Sequence, residues 1–388
     1  MKKIGLYLDS VIGGGVYQYN LSILNAFISL SKNRINSVIA YSNTDWNKFF
    51  KNSQTDDVKR IPYSIPSKLW MHNNYHLLFW RKTSPMFDNF SRQFINENCD
   101  LWIFPSQDIW GYSLPINSMV TIHDLMHRYE KSFVEAASNH MFKKRERHYS
   151  RISEYSKAIL VDSKIGKKQM LESYNTNPQK IHILPYIPPK YIFKNSKNIN
   201  IHQIYNLPKK YFFYPAQFWS HKNHLSLLEA AAKIKNQYPD ISFVFVGSKK
   251  NAYESVINYI NKHSLSNYIK ILDYVPNQHM SELYKSARAM IMPTFFGPTN
   301  IPPLEAMALG CPVAVSKIYA MPEQVGEAGL VFDPNSIDEI INIMIKLWTN
   351  DKLIDNLREK GYEKSKFWQQ SQFNVKFKNI VNQVLDIN

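Results

Sequence analysis

Short apolar runs recur along this chain, and between them apolar residues return every three or four positions. In the first half the runs are IGLYL (4–8), VIAY (38–41), LWIF (101–104), MVTI (119–122), AILV (158–161) and IHIL (181–184). In the second they are YFFY (211–214), SFVFV (242–246), IKIL (269–272), AMIM (289–292), PVAV (312–315) and GLVF (329–332). Unbroken apolar runs suit strands buried on both faces, as in a parallel sheet. The intervening segments carry helical spacing, for example Leu225, Leu228, Ala231, Ala232 and Ile234. This alternation predicts α/β architecture with helices on both sides of each sheet.

The pattern breaks once. YIPPKYIFKNSKNIN (186–200) is rich in proline and then polar, which marks a linker. Two doubly wound, Rossmann-like domains are therefore expected, 1–190 and 200–367, joined near residues 186–205 and facing a central cleft. Open parallel sheets bind ligands beyond the carboxyl ends of their strands. Residues with chemical potential fall at such ends: Gly13-Gly14-Gly15 after 4–8, His123-Asp124 after 119–122, Gln217 to Lys222 after 211–214, Gly247 after 242–246, and Pro293 to Asn300 after 289–292.

Composition narrows the setting. At 388 residues, 44% hydrophobic and 20% charged, the chain has room for two cores. Its two cysteines, Cys99 and Cys311, have no metal-ligand spacing and suggest a reducing compartment. Asp9 interrupts the N-terminal apolar run that follows Lys2 and Lys3, against a signal peptide, and no window approaches the ~18 apolar residues of a membrane span. A cytoplasmic protein is expected. Net charge is +16 and uneven: residues 1–200 hold 27 Lys+Arg against 15 Asp+Glu, residues 201–388 hold 20 against 16. The first half thus favours an anionic partner. The run KKRERHYSR (143–151) puts Lys143, Lys144, Arg147 and Arg151 near one helix face, suited to an anionic membrane or simply to solvent. No helix-turn-helix, finger or stacking sheet supports a nucleic-acid partner.

PTFFGPTNIPPLEAMALGCPV (293–313) reads as a helix opening at Pro302-Pro303, with Asn300 as cap and Gly310 at its end. Such an N-terminus can hold a diphosphate. Glu305, its one carboxylate, suits either a ribose diol or the helix dipole. Lys222, in the loop before another helix, suits a phosphate or open solvent. The glycines of GGGVYQYN (13–20) allow close backbone approach, but they do not form GxGxxG. His123 suits a sugar hydroxyl or a structural hydrogen bond. Asp9 and Asp124 are candidate contacts to acceptor or sugar.

Together these segments resemble glycosyltransferase family 4, retaining enzymes of the two-domain glycosyltransferase-B fold. The resemblance is strongest over 289–334 and extends to TIHD (121–124), AILVDS (158–163), HKN (221–223) and VPNQHMSELYKSA (275–287). It implies that the second domain binds a nucleotide-diphosphate sugar and that a terminal helix, 368–388, returns to the first domain. It implies catalytic roles for His123, Lys222 and Glu305. Donor contacts are implied at Gly14, Gly15, Gln217, Gly247, Thr299, Asn300 and Ile301. No cofactor and no metal are expected, because the only adjacent aspartates, Asp56-Asp57, lie in a polar stretch. The implied reaction moves a hexosyl unit, mannosyl among the options, to a saccharide acceptor, lipid-linked in O-antigen or capsule synthesis. The expected partners are the nucleotide sugar, the acceptor and the anionic inner face of the cytoplasmic membrane. Two departures stand out: Gly297 replaces the first acid of the family's E-x7-E motif, and Gln217 replaces the arginine that usually accompanies Lys222. Thr299, Asn300 and neighbouring amides are expected to take over sugar recognition. A silent nucleotide-sugar-binding subunit and an epimerase of the same fold are the alternatives.

Overall fold

The computed structural model describes residues 1–30, 35–51, 57–193 and 199–387. Residues 194–198 of the expected linker, and Asp56 of the Asp56-Asp57 pair, lie outside these. The chain divides into two compact units. Unit 1 comprises Met1–Arg128, Asn139–Pro185 and Gln370–Asn388; unit 2 comprises Tyr129–Ser138 and Tyr186–Gln369.

Unit 1 is built on seven parallel strands: β1 (Lys2–Leu8), β2 (Ile35–Tyr41), β3 (Val58–Arg60), β4 (Leu101–Phe104), β5 (Ser118–Thr121), β6 (Ala158–Val161) and β7 (Ile181–Ile183). Their order across the sheet is β3-β2-β1-β4-β5-β6-β7. Strand order therefore reverses between β1 and β4, which pair directly with Ile4 opposite Leu101. Strands β4, β5 and β6 are buried at every position, as their unbroken apolar runs require. The short edge strand β3 was not expected from the sequence. Two of its three residues, Lys59 and Arg60, are charged and exposed, so no apolar run marks it.

Unit 2 carries six parallel strands: β8 (Phe212–Pro215), β9 (Phe243–Val246), β10 (Ile269–Leu272), β11 (Ala289–Met292), β12 (Val313–Ser316) and β13 (Gly329–Phe332). Their order is β10-β9-β8-β11-β12-β13, with the reversal between β8 and β11. One contiguous apolar core from Ile201 to Leu357 fills both faces of this sheet.

Two segments depart from a simple division of the chain at the linker. The helix Gln370–Leu385 buries Phe373, Phe377, Ile380 and Val381 in unit 1. Phe373 meets Tyr19 edge-on, and Gln370 Nε2 donates to Ser22 O at 3.0 Å on the helix Gly14–Ile28. In the other direction Tyr129–Ser138, placed by the sequence within 1–190, packs in unit 2. Phe133 stacks on Phe295 at 5.8 Å, and Tyr319 donates its hydroxyl to Glu130.

Candidate active site

In unit 2 the loops that follow β8 and β11 meet where strand order reverses. The first loop ends in a turn, Ser220–Lys222, stopped by Asn223 in the left-handed region at φ 57°. Asn223 Nδ2 donates to the carbonyls of Pro293 (2.9 Å) and Pro334 (3.2 Å), and Phe295 N donates to His221 O at 2.8 Å. The two loops are thereby laced together, and Lys222 Nζ donates to Asn300 Oδ1 at 3.3 Å.

Asn300 stands at the N-cap of the helix Ile301–Ala308, whose first turn holds Pro302 and Pro303. Its side chain does not cap that helix, contrary to the sequence reading. It reaches Lys222 through Oδ1 and Met321 Sδ through Nδ2 at 3.0 Å. Its backbone is held from both sides by Gln324, which accepts from Asn300 N at 3.2 Å and donates to Asn300 O at 2.6 Å. A cation thus sits beside a helix N-terminus, a combination that suits a phosphate.

A side chain at position 297 meets a steric obstacle. Gly297 adopts φ +138°, and a Cβ there would lie 2.4 Å from Asn300 Nδ2. The Asn300 amide fills the space beside that backbone, so a side chain at 297 is excluded while Asn300 keeps this rotamer. Thr299 and Ile301 flank Asn300 on the same segment and are partly buried.

Glu305 departs from the expected diol contact. Its carboxylate is 5% exposed, and both oxygens are taken, Oε1 by the Tyr191 hydroxyl and Oε2 by the Tyr284 hydroxyl, each at 2.6 Å. Burial pushes its carboxyl above the ordinary range, and the two phenol hydrogen bonds pull it part of the way back. In this structure Glu305 anchors the helix to its neighbours. Neither tyrosine adjoins it in sequence, so no local signal announced them.

Gly247 is also explained by packing. A Cβ there would lie 2.1 Å from Ala216 O, so the glycine lets the loops after β8 and β9 touch backbone to backbone. Gln217 is exposed and accepts from Trp219 Nε1 at 2.9 Å. The loop bearing Lys222 has a further support that sequence reasoning missed. Glu135 Oε1 contacts His221 Nδ1 at 2.9 Å and accepts from His221 N at 3.3 Å, while Asn251 Nδ2 donates to its Oε2 at 3.0 Å. Burial alone would raise the Glu135 carboxyl, but these hydrogen bonds outweigh it and hold the carboxyl below its usual value.

Unit 1 repeats the arrangement at its own reversal point. A cavity of about 350 Å³ is lined by Asp9 after β1 and by Gln107 and Asp108 after β4. Lys144, Arg145, Arg147 and His148 form another part of its wall. Asp9 accepts from the Tyr63 hydroxyl and from Asn43 N at 3.1 Å; Tyr63 meets the Tyr7 hydroxyl (2.9 Å), and Tyr7 in turn meets Ser42 Oγ (2.6 Å). Burial raises the Asp9 carboxyl to about 6, against the lowering effect of these bonds. Burial and then the Asp9 charge push Asp108 well above the carboxylate range. A carboxyl held toward its protonated form can donate as well as accept a hydrogen bond, a property useful in polyol recognition.

Asp124 does not present itself to a sugar. It pairs with Arg145 and accepts from Met126 N at 2.9 Å, and although burial works to raise its carboxyl, the arginine holds it below the usual value. It therefore positions a cation of the cavity wall. His123 lies beside Tyr19 (5.1 Å, edge-on), and its backbone N–H donates to Gln107 Oε1 at 3.0 Å. Burial lowers its imidazole to about 4, so it is neutral at pH 7. Gly14 and Gly15 are exposed at the start of the helix Gly14–Ile28, and Gly14 has φ +73° with open space around it. The glycines there serve backbone conformation and access. The basic stripe expected over 143–151 also changes. Arg147 lies over the Tyr75 ring at 4.1 Å, and Arg151 donates to the carbonyls of Asn74 and Tyr75 at 2.5 and 3.1 Å. Two of its four cations are thus spent on a loop of the same unit.

Two doubly wound parallel sheets of this order define a glycosyltransferase-B fold, and solved structures share it across the chain. The Anabaena Alr3699/HepE protein, crystallised with UDP and glucose, superposes with TM-score 0.76 at 12% identity, covering 98% of this chain and 100% of that one. WaaG, a glycosyltransferase involved in lipopolysaccharide biosynthesis, gives 0.67 at 14% identity, covering 97% and 99%. Residues 197–364 match the family model described as glycosyl transferases group 1. In sequence the chain is similar to the O-antigen chain mannosyltransferase B of Escherichia coli, 34% identical over 107 residues, 28% of each chain. It is also similar to the O-antigen chain mannosyltransferase RfbU of Salmonella typhimurium, 23% identical over 227 residues, 58% of this chain and 59% of that one. The matched stretches thus span less than two thirds of these relatives' own lengths.

Proposed function

We propose that the protein is a retaining glycosyltransferase that moves a hexosyl unit, mannosyl in the first instance, from a nucleoside-diphosphate sugar to a saccharide acceptor of surface-polysaccharide synthesis. The observation that carries this reading is the meeting of Lys222 with Asn300 at the N-terminus of the helix Ile301–Ala308. The family match over this unit and the two relatives named as O-antigen mannosyltransferases support it.

In the reaction, the bond from the anomeric carbon to the diphosphate breaks and a bond to an acceptor oxygen forms. The acceptor proton passes to an oxygen of the leaving phosphate. Lys222 and the amides near 299–301 offset the charge that gathers on the diphosphate, so no metal is required. Thr299, Asn300 and Ile301 line the approach to the sugar. In unit 1, Asp9 and Asp108 receive acceptor hydroxyls, while Lys144 of the cavity wall suits an anionic group on the acceptor, such as the phosphate of a lipid carrier. Neutral His123 serves as a hydrogen-bonding group. The enzyme works from the cytoplasm at the inner face of the membrane.

Thermal unfolding with UDP, GDP, ADP and dTDP tests the donor half. A nucleotide at ~100 times its Kd should add ~2.7 kcal/mol of stability. A shift with one diphosphate, followed by acceptor-dependent, EDTA-insensitive turnover of its hexosyl derivative with the anomeric configuration kept, is the expected result. Absence of any shift would overturn the reading. Turnover of the donor without acceptor would replace transfer by epimerisation or hydrolysis.

A further inference from the structure

Two consecutive helices of unit 1 hold large apolar side chains in solvent. In Ile65–Asn73 and Leu77–Phe87 the indoles of Trp70 and Trp80 stack on each other at 4.6 Å and are buried. The residues turned away from them stay outside. In the first helix these are Ile65 (76% exposed) and Leu69 (63%), with Lys68 on the same face. In the second they are Leu78 (68%), Phe79 (68%) and Met86 (78%), with Lys82 among them. Spacings of three, four, seven and eight residues place each set on one side of its helix. Tyr75, 61% exposed, sits at the corner between the helices, where Arg147 and Arg151 hold it.

Water disfavours such a surface, and a cluster of exposed apolar groups marks an interaction site. The charges beside it identify the occupant. Residues 61–87 contain Lys68, Arg81 and Lys82 and no Asp or Glu. The next acid, Asp88, is fully buried, where it accepts hydrogen bonds from Ser64, Ser67 and Ser91. A second copy of the chain is a poor match. About a two-fold axis this patch would meet itself, setting lysines against lysines with no acid on either helix to pair them. A surface that is apolar below and negatively charged above fits both features.

We propose that the outward faces of Ile65–Asn73 and Leu77–Phe87 dock on an anionic lipid bilayer, with Ile65, Leu69, Leu78, Phe79 and Met86 entering the interface and Lys68 and Lys82 meeting lipid phosphates. This moves the membrane contact away from the basic run 143–151, whose Arg147 and Arg151 brace the corner from within. The docking surface deepens the reading of a peripheral enzyme, yet lipid binding needs neither donor nor acceptor, so either stands if the other falls.

Co-sedimentation of the full chain with phosphatidylcholine vesicles, with and without about one quarter phosphatidylglycerol, tests it. Wild type should partition at least tenfold more onto the anionic vesicles, and 0.5 M salt, about three times physiological strength, should weaken that preference. The double variants Leu78→Glu/Phe79→Glu and Lys68→Glu/Lys82→Glu should each lower partition about tenfold or more, with an unchanged thermal midpoint and an unchanged response to nucleoside diphosphates. Wild type remaining in the supernatant overturns the proposal, as does equal sedimentation of wild type and both variants. A wild-type dimer that Leu78→Glu/Phe79→Glu converts to monomer, without vesicle binding, overturns it in favour of a second copy.

Discussion

Lys222 Nζ donates to Asn300 Oδ1 across 3.3 Å, although 78 positions separate the two residues. The contact closes the loop after β8 against the loop after β11, at the point where strand order reverses. Removing the cation should therefore act on the charged leaving group. Lys222→Ala is expected to lose more than ~2 kcal/mol of transition-state stabilisation, roughly 30-fold in kcat/KM. Asn300→Ala should raise the donor KM or lower kcat. Steady-state kinetics with the nucleotide sugar checks both, and wild-type values for Asn300→Ala would remove Asn300 from sugar recognition.

Placing an acid at position 297 should fail. Gly297 has φ +138°, and its missing Cβ would collide with the Asn300 amide. Gly297→Ala is expected to cost about 1–3 kcal/mol of stability, from backbone strain and from displacement of Asn300. Gly297→Glu should weaken nucleotide binding as well. Urea unfolding and nucleotide-induced thermal shifts measure the two effects separately.

Glu305 should prove a stabilising residue first. Glu305→Ala leaves the buried hydroxyl of Tyr284 without its acceptor and opens a void, at an expected cost of about 3 kcal/mol. Tyr284→Phe, which leaves the carboxylate with Tyr191, should cost about 1–2 kcal/mol. Denaturant midpoints decide the matter. An unchanged midpoint in Glu305→Ala, together with lost nucleotide binding, would return Glu305 to the ribose.

Asp9 makes stability depend on pH. Its folded value, about 6, lies above the ordinary 3.8, so the folded state holds the proton more tightly. That contribution is complete below pH ~3.8 and is lost as pH rises through ~6. Asp9→Asn removes it. The stability difference, variant minus wild type, should therefore move in the variant's favour by about 2 kcal/mol between pH 4 and pH 7.5. Paired denaturation curves at the two pH values measure this. Acceptor affinity should show a limb near pH 6 that Asp9→Asn abolishes, because His123, at about 4, is already neutral there.

Glu135 should matter to a loop that it does not belong to in sequence. By holding His221 and Asn251 it steadies the turn that carries Lys222. Glu135→Ala is expected to raise the donor KM more than it lowers kcat, and Glu135→Gln should recover part of the loss through its single amide oxygen, which can accept from Asn251 or from backbone His221 but not from both. Kinetics of the two variants side by side distinguishes positioning from charge.

Twelve of the thirteen strands among the described residues were legible because burial on both faces demands unbroken apolar runs. The ends of those runs in turn located the loops at Asp9, Lys222 and Asn300. β3 was not legible, since an exposed edge strand of three residues needs no such run. Nor could the sequence show how its chemical groups are spent. Glu305 and Asp124 look available in the chain, yet tyrosine hydroxyls and Arg145 occupy them. Apolar periodicity is a local property that a sheet imposes on each segment separately. The partner of a buried carboxylate, the rotamer that excludes a side chain at Gly297 and the return of Tyr129–Ser138 to unit 2 are set by segments distant in sequence that only packing brings together.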